Sequence, residues 1–331
     1  MMPLIPRDRL VALLDAGRAQ HVVIIGDAML DVYLRGDVDR ISPEAPVPVV
    51  RVRDTKLALG GAANVAQNVA ALSAGCDLVA VVGDDRAGNT LRERLEAGRM
   101  ESRSLVTVGR PTTTKTRVMA RAQQLVRFDE EDDSDLQQAD VDAVLAAVER
   151  AMPQATAVVF EDYNKGVLVP AVIEGAIKMA RSRGLPVVVD PKFRNFFAYR
   201  GATVFKPNRR ELESALGAAV DLEHPAALPE TFARLGVEHL LLTLGEQGMA
   251  LVSSDGVVHR VPTTAREVYD VVGAGDTVTA YLATMLAAGA TALEAAIVAN
   301  YAAGVEVGKL GAATVSPDEV LEAYDQHRTE T

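Results

Sequence analysis

Short unbroken apolar runs recur along the chain. His21–Gly26, 78–83, 157–160, 186–190, 202–205 and His239–Thr243 are rich in Val, Ile and Leu, and each has the length of a strand buried on both faces. Stretches with helical spacing of apolar residues lie between them, at 62–73, 88–97, 141–152, 170–183 and Arg209–Leu216. Alternation of buried strand and helix predicts βαβ units, and so an α/β fold with a central, mostly parallel sheet flanked by helices. Residues 276–288, 292–307 and 317–326 close the chain as three helices. The uncharged stretch 278–293 is rich in Ala, Thr and Gly and falls short of the roughly 18 strongly apolar residues of a membrane span, so it reads as buried helix.

Two regions break the alternation. Residues 46–53 (PVPVVRVR) are extended and carry two prolines, which suits an edge or projecting strand. Residues 112–118 and 124–128 have the look of two strands joined by a short turn. These pieces predict a small β lid, formed by about 33–57 and 110–129, beside the main sheet of a single domain spanning 1–331. The acidic run 129–135 reads as a solvated loop.

Composition changes the picture of the core and of the partners. With 4% aromatic residues and no Trp, the core must be built from Val, Leu, Ile and Ala. A net charge of −11 disfavours nucleic acid and anionic membranes as partners, because both need a basic surface. It does not oppose an anionic small substrate, which needs only local cations. Cys76 is the sole cysteine, so no intrachain disulfide, Cys-based zinc site or iron–sulfur cluster can be built. The first 20 residues carry Arg7, Asp8, Arg9, Asp15 and Arg18 and lack the apolar core of a secretory signal. A cytoplasmic location is expected.

The sharpest chemical feature is Gly273-Ala274-Gly275-Asp276-Thr277, followed by a long helix. The glycines let the backbone turn tightly, and the free amides of the helix start form an anion hole suited to phosphate. Asp276 opens the helix, either as its N-cap or as a base. A helix start lowers a carboxylate's pKa, but phosphoryl transfer passes through a loose transition state that leaves little proton work until late. Asn208 and Glu211 stand at i and i+3, placed to hold Mg²⁺ through its waters or, equally, to form a capping box. Thr243 and the glycines of Thr243-Leu-Gly245-Glu-Gln-Gly248 could approach phosphates or simply connect two strands. Gly60-Gly61-Ala-Ala-Asn64 opens a helix of small residues, and Asp31 follows the first strand. Both could meet sugar hydroxyls, or serve as loop, cap and turn. Asp31, the 60–64 segment, Asn208 and Thr243 all follow predicted strands, so they can converge at one sheet edge. Residues 303–310 fail the P-loop pattern at Ala303 and Leu310. His21, His224, His239, His259 and His327 share no metal-ligand spacing.

Taken together these motifs resemble the ribokinase-like (PfkB) carbohydrate kinases over nearly the whole chain. The matches are 60–64 (GGAAN), 270–277 (DVVGAGDT), Asn208-Arg-Arg-Glu211 and 243–248, in that order and at that separation. A closer resemblance is to the D-glycero-β-D-manno-heptose-7-phosphate kinases of lipopolysaccharide synthesis, carried by 26–31 (GDAMLD), 40–49 (RISPEAPVPV), 123–129 (QQLVRFD), 190–192 (DPK), 267–270 (EVYD) and 308–311 (GKLG). Some such kinases are fused to an adenylyltransferase with an HxGH-type motif. That motif is missing before Thr331, so a stand-alone kinase is expected.

The resemblance implies ATP-dependent phosphorylation of the C1 hydroxyl of the heptose 7-phosphate. It makes Asp276 the base and Gly273, Ala274 and Gly275 the anion hole. Asn208, Arg209, Arg210, Glu211, Thr243, Gly245 and Gly248 fall on the Mg–ATP side, with Asn300 near the adenine. Asp31, Gly60, Gly61 and Asn64 fall on the sugar side. Asp270 and Ser316 are candidate contacts for a monovalent cation such as K⁺. An anionic substrate also needs cations of its own. Lys115 and Arg117 point outward from the predicted lid strand, Arg121 follows at its turn, and Lys165 and Lys192 complete the candidates for the distal phosphate. Exposed lid strands tend to be covered by a partner, and in this family lids of two subunits often clasp, so a homodimer is expected. Competing readings are a PfkB kinase for another sugar or nucleoside and a non-catalytic sensor on the same fold.

Overall fold

A computed structural model of the chain describes residues 5–121, 123–223 and 228–330. His224 and Met1–Leu4 of the amino-terminal stretch therefore lie outside the described residues. Buried apolar runs become the parallel body of the main sheet: β1 (His21–Gly26), β4 (Gly75–Val79), β9 (Ala157–Glu161), β10 (Val187–Asp190), β11 (Val204–Phe205) and β12 (His239–Thr243). Two antiparallel strands, β13 (Met249–Ser253) and β14 (Val258–Val261), extend one edge and were not foreseen. Among the described residues the sheet has eight strands, in the order β14-β13-β12-β11-β10-β9-β1-β4. The run 78–83 breaks at Ala80. Its second half, β5 (Val81–Gly83), leaves the sheet and pairs with β6 (Val106–Val108).

Strand side chains alternate between two cores, which is why these runs are apolar at every position. Val22 and Ile24 pack with the face that carries α1 (Arg7–Gly17), α2 (Ala62–Ala71), α3 (Arg86–Ala97), α8 (Ala274–Ala287), α9 (Ala292–Glu306) and α10 (Pro317–Glu330). Val23 and Ile25 pack with the face that carries α4 (Gln138–Ala151), α5 (Pro170–Ser182), α6 (Arg209–Leu216) and α7 (Leu228–Leu235). Every residue of α8 from Asp276 to Met285 is buried. A helix closed in on all sides needs small residues all round, which explains the uncharged Ala- and Thr-rich stretch. No described helix is long and apolar enough to cross a membrane.

The lid is a separate four-stranded sheet, ordered β3-β2-β7-β8, made of β2 (Ala28–Ile41), β3 (Pro48–Gly61), β7 (Thr114–Ala120) and β8 (Gln123–Glu130). β2 was not read as a strand, although Leu30, Val32 and Leu34 alternate with Asp31, Tyr33 and Arg35. Cross-strand register gives the lid two unlike faces. Leu57, Val32, Thr116 and Phe128 stand in one row, with Leu34, Val118 and Val126 beside them. Asp31, Lys115 and Asp129, with Tyr33, Arg117 and Arg127, fall on the opposite face. The acidic run is only partly a loop, since Asp129 and Glu130 belong to β8.

Candidate active site

The carboxyl ends of the parallel strands and the first turn of α8 meet at one place. Gly273 stands outside α8 with φ +99°, and the helix begins at Ala274. Asp276 is therefore the third helical residue and not the N-cap, and its side chain makes no cap bond. Its carboxylate turns instead to two distant partners. Asn64 Nδ2 donates to Oδ2 at 2.6 Å, and the Tyr163 hydroxyl donates to Oδ1 at 2.9 Å. Asn64 is held in turn by α2 and by Asn68, whose Nδ2 donates to the Asn64 carbonyl while its Oδ1 accepts from Thr277 Oγ1. The nearness of Gly273 to Asn64 depends on a missing side chain: a Cβ there would lie 3.2 Å from Asn64 Nδ2 and 3.1 Å from the Ala312 Cβ.

Electrostatics around Asp276 run opposite to the expectation of a lowered pKa. Burial pushes the group up to about 6, the Asp190 charge adds to this, and the bonds from Asn64 and Tyr163 pull the other way. Desolvation outweighs the two hydrogen bonds here. One ligand oxygen from each of Glu161, Asp190 and Asp276 lies within 4.8 Å of the others. Lys206 Nζ donates to Asp190 Oδ2 at 2.7 Å and stays charged despite full burial, because Asp190 and Glu161 favour its cation. Glu161 is fully buried, neither carboxylate oxygen has a hydrogen-bond partner among the described residues, and burial, followed by the charges of Asp190 and Asp276, pushes it well above the carboxylate range.

On the other side of α8 a cleft of about 530 Å³ is walled by Thr243, Gly245, Gly248, Asn208, Asn300 and the apolar side chains of Val268, Val271 and Val278. Ala274 and Gly275 form its floor. Asn208 and Glu211 make a complete capping box at the start of α6, and Glu211 also receives Lys192 Nζ. The capping interpretation is thus realised, with one Glu211 oxygen facing a cation. Arg209 and Arg210 do not line the cleft; in the first turn of α6 Arg209 is half-buried and Arg210 exposed. Asn300 lines it but donates its amide to the Pro262 carbonyl at 2.8 Å.

The residues that the resemblance assigns to the sugar gather at the lid base. Asp31 packs against Gly60, where a Cβ would come within 2.5 Å of Asp31 Oδ2, and it accepts from Arg117 Nη1. Gly61 has φ +56° beside the Asp27 carbonyl. Lys115 and Arg117 stand on the lid face opposite Val118, as the outward placement requires, but they are not solvated there. Their side chains are only 13% and 18% exposed, and both are ion-paired. Lys115 meets Asp129 and Glu131, and Lys165 meets Glu131 at 2.7 Å. Arg121 is exposed at the hairpin turn, with φ +54°, beyond the far end of β7. Asp270 accepts from Val272 N and Gly311 N, and Glu306 is fully buried nearby, raised to about 8 by burial first and then by the Asp270 charge. Ser316 does not join them, since it exchanges bonds with Glu319 at the start of α10.

Glu161, Tyr163, Asp190 and Lys206 were not named as site residues from sequence. The signal was available: charged or polar residues directly after a buried strand lie at the ligand edge of a parallel sheet.

This arrangement, a doubly wound sheet with a β lid and an aspartate at a glycine-flanked helix start, is that of the ribokinase-like sugar kinases. A family model described as pfkB family carbohydrate kinase matches residues 19–319. The chain belongs to the pfkB family of carbohydrate kinases and is a phosphotransferase with an alcohol acceptor. It is 46% identical over 309 residues to the Bifunctional protein HldE of Rhodospirillum rubrum, covering 92% of this chain and 62% of that protein. Likewise it is 44% identical over 323 residues to the protein of the same name from Shewanella piezotolerans, covering 96% and 66%. The chain thus spans about two thirds of the length of these relatives. In structure it is similar to an Arabidopsis thaliana ribokinase complexed with ribose and ATP (TM-score 0.71, 20% identity, 92% of this chain and 98% of that one). It is similar also to phosphofructokinase-2 of Escherichia coli in complex with potassium (TM-score 0.75, 20% identity, 93% and 99%).

Proposed function

We propose that the protein transfers the γ-phosphoryl group of ATP to the C1 hydroxyl of D-glycero-β-D-manno-heptose 7-phosphate, giving the 1,7-bisphosphate and ADP in the supply of ADP-heptose for lipopolysaccharide core. The observation that carries the kinase chemistry is the buried Asp276 carboxylate standing in the first turn of α8, between the lid base and the 530 Å³ cleft. The heptose assignment is supported by the segments 26–31, 40–49 and 123–129 and by the relatives named HldE.

In this reading the cleft holds the nucleotide and Asp31, Gly60, Gly61 and Asn64 hold the sugar. Asp276 orients the acceptor hydroxyl and takes its proton late, as a loose transition state allows. The amides of Gly273, Ala274 and Gly275 face charge on the transferring group. Carboxylate and amide oxygens are the donors a hard cation takes, and the Glu161 oxygens, without a hydrogen-bond partner among the described residues and close to Asp190 and Asp276, would be kept ionised by one. The site therefore fits Mg²⁺, which Asn208 and Glu211 would hold, partly through water; when bound it would neutralise phosphate charge. Asp270, with the buried Glu306 near it, fits a monovalent cation such as K⁺. The reaction belongs in the cytoplasm, where ATP is available, and the protein works as a homodimer joined through its lids.

The test is ADP release with Mg-ATP and a panel of acceptors: heptose 7-phosphate, other sugar phosphates, free sugars and nucleosides. Fastest turnover with heptose 7-phosphate is expected. A different best acceptor would overturn the specificity and leave the kinase chemistry standing. Asp276→Asn should lose roughly 10²–10⁴-fold in kcat, and full activity in that variant would overturn the mechanism.

A further inference from the structure

Tyr163 lies at the carboxyl end of β9, two residues beyond the buried Glu161, in a turn fixed from below. The Asp27 carboxylate accepts from the backbone N–H groups of Tyr163 at 2.8 Å, Lys165 at 3.0 Å and Val167 at 3.3 Å. The Asp27 carbonyl also accepts from Ala62 N at 3.0 Å, where the GGAAN segment enters α2. One aspartate thus ties the Tyr163 turn to the glycine turn that supports the sugar-side residues. The phenol ring is clamped as well. Lys192 Nζ sits 5.6 Å from its centroid, and a Cβ on Gly61 would come within 3.5 Å of its Cδ2.

We infer that Tyr163 is a positioning residue for phosphoryl transfer, its hydroxyl fixing the Asp276 carboxylate for the acceptor alcohol from the oxygen that Asn64 does not reach. This rests on the reading of Asp276 as the base. Rotation of a carboxylate about its last torsion is nearly free, with a broad two-fold profile. Asn64 bonds Oδ2 and leaves that rotation damped from one side only. Tyr163 bonds Oδ1 from a ring held by backbone bonds and by Lys192, so both oxygens have an assigned direction. Each oxygen keeps a second lone pair, on which the alcohol can be received. The phenol remains a donor, because burial and the Asp276 charge push its pKa well above the ordinary tyrosine value. Tyr163 is itself only partly buried, and its hydroxyl bonds the carboxylate that the acceptor must meet.

The experiment compares the parent, Tyr163→Phe, Asp276→Asn and the double variant, using Mg-ATP and whichever panel acceptor the parent turns over fastest. Tyr163→Phe should lower kcat about 10- to 100-fold, with KM for both substrates within about threefold of the parent and an unchanged melting temperature. In the double variant, loss of the hydroxyl should have no further effect, because its target is already altered. Tyr163→Phe at the parent kcat, or equal losses with and without Asp276, would overturn the inference while the base reading survives. Asp276→Asn at the parent rate would overturn both. Should the phenylalanine variant misfold, Tyr163→His, which keeps a ring N–H donor, should exceed Tyr163→Leu in kcat; equal rates would overturn the inference as well.

Discussion

Burial of the Asp276 carboxylate has opposite consequences for activity and for stability. Its folded pKa of about 6 lies above the unfolded value, so the charged form is disfavoured in the native state at neutral pH. The destabilisation is present above pH 6 and is relieved as pH falls through that value. Under the proposed mechanism the base must be ionised, so kcat/KM should fall below about pH 6, which a pH–rate profile will show. Asp276→Asn should therefore raise the melting temperature at pH 7.5 by roughly 2 °C or more, and the gain should shrink at pH 5; thermal unfolding at both pH values checks the sign. On the lid, both Arg117 hydrogen bonds, to Asp31 and to the Lys115 carbonyl, leave from Nη1. Its remaining guanidinium nitrogens can serve a phosphate. Arg117→Ala should raise KM for the phosphorylated sugar by about tenfold or more with little change for ATP. Equal KM values for the sugar phosphate would remove Arg117 from that role.

At the scale of elements, the start of α8 depends on backbone geometry as much as on any side chain. Gly273 holds φ +99°, a region that L side chains rarely adopt, and a Cβ there would crowd Ala312 and Asn64. Gly273→Ala should lower kcat by at least about tenfold, because strain and the displacement of Asn64 fall on the same site; steady-state kinetics would decide it. The element pattern was legible where a segment is buried on both sides. The interrupted run at 78–83 and the strands β2, β13 and β14 were not, for identifiable reasons. β2 is half charged because it serves a two-faced lid, so its alternation carries no continuous apolar run. β13 and β14 form an antiparallel edge that the βαβ pattern does not announce. The Asn208–Glu211 pair could be read in two ways from spacing alone, and α6 shows the capping box beside a contact with Lys192.

On the scale of the whole molecule, the lid separates charge from apolar surface. One face carries Asp31, Lys115, Arg117 and Asp129, on the side proposed for the sugar. The other presents Val126 and Phe128, 51% and 47% exposed, and Ile41 nearer the tip is 62% exposed. Apolar surface of this kind on a sheet is normally covered. The protein should be a dimer by light scattering at micromolar concentration, and Val126→Glu with Phe128→Glu should make it a monomer that retains its fold by circular dichroism. A parent protein that is monomeric at that concentration would overturn the lid-to-lid contact.

From its residues alone, the chain declared the buried parallel strands and most of the helices between them, the glycine turns at 60–61 and 273–275, and the aspartate at 276, because periodicity and turn chemistry are local properties. Only the tertiary structure decided what meets that aspartate. Its partners Tyr163 and Asn64 lie 113 and 212 positions away, and the Glu161, Asp190 and Lys206 cluster comes from three different strand ends. A polar side chain carries no record in the sequence of which distant group will satisfy it. The packing of strand ends against α8 supplies that pairing, and with it the desolvation that sets the proton affinity of Asp276.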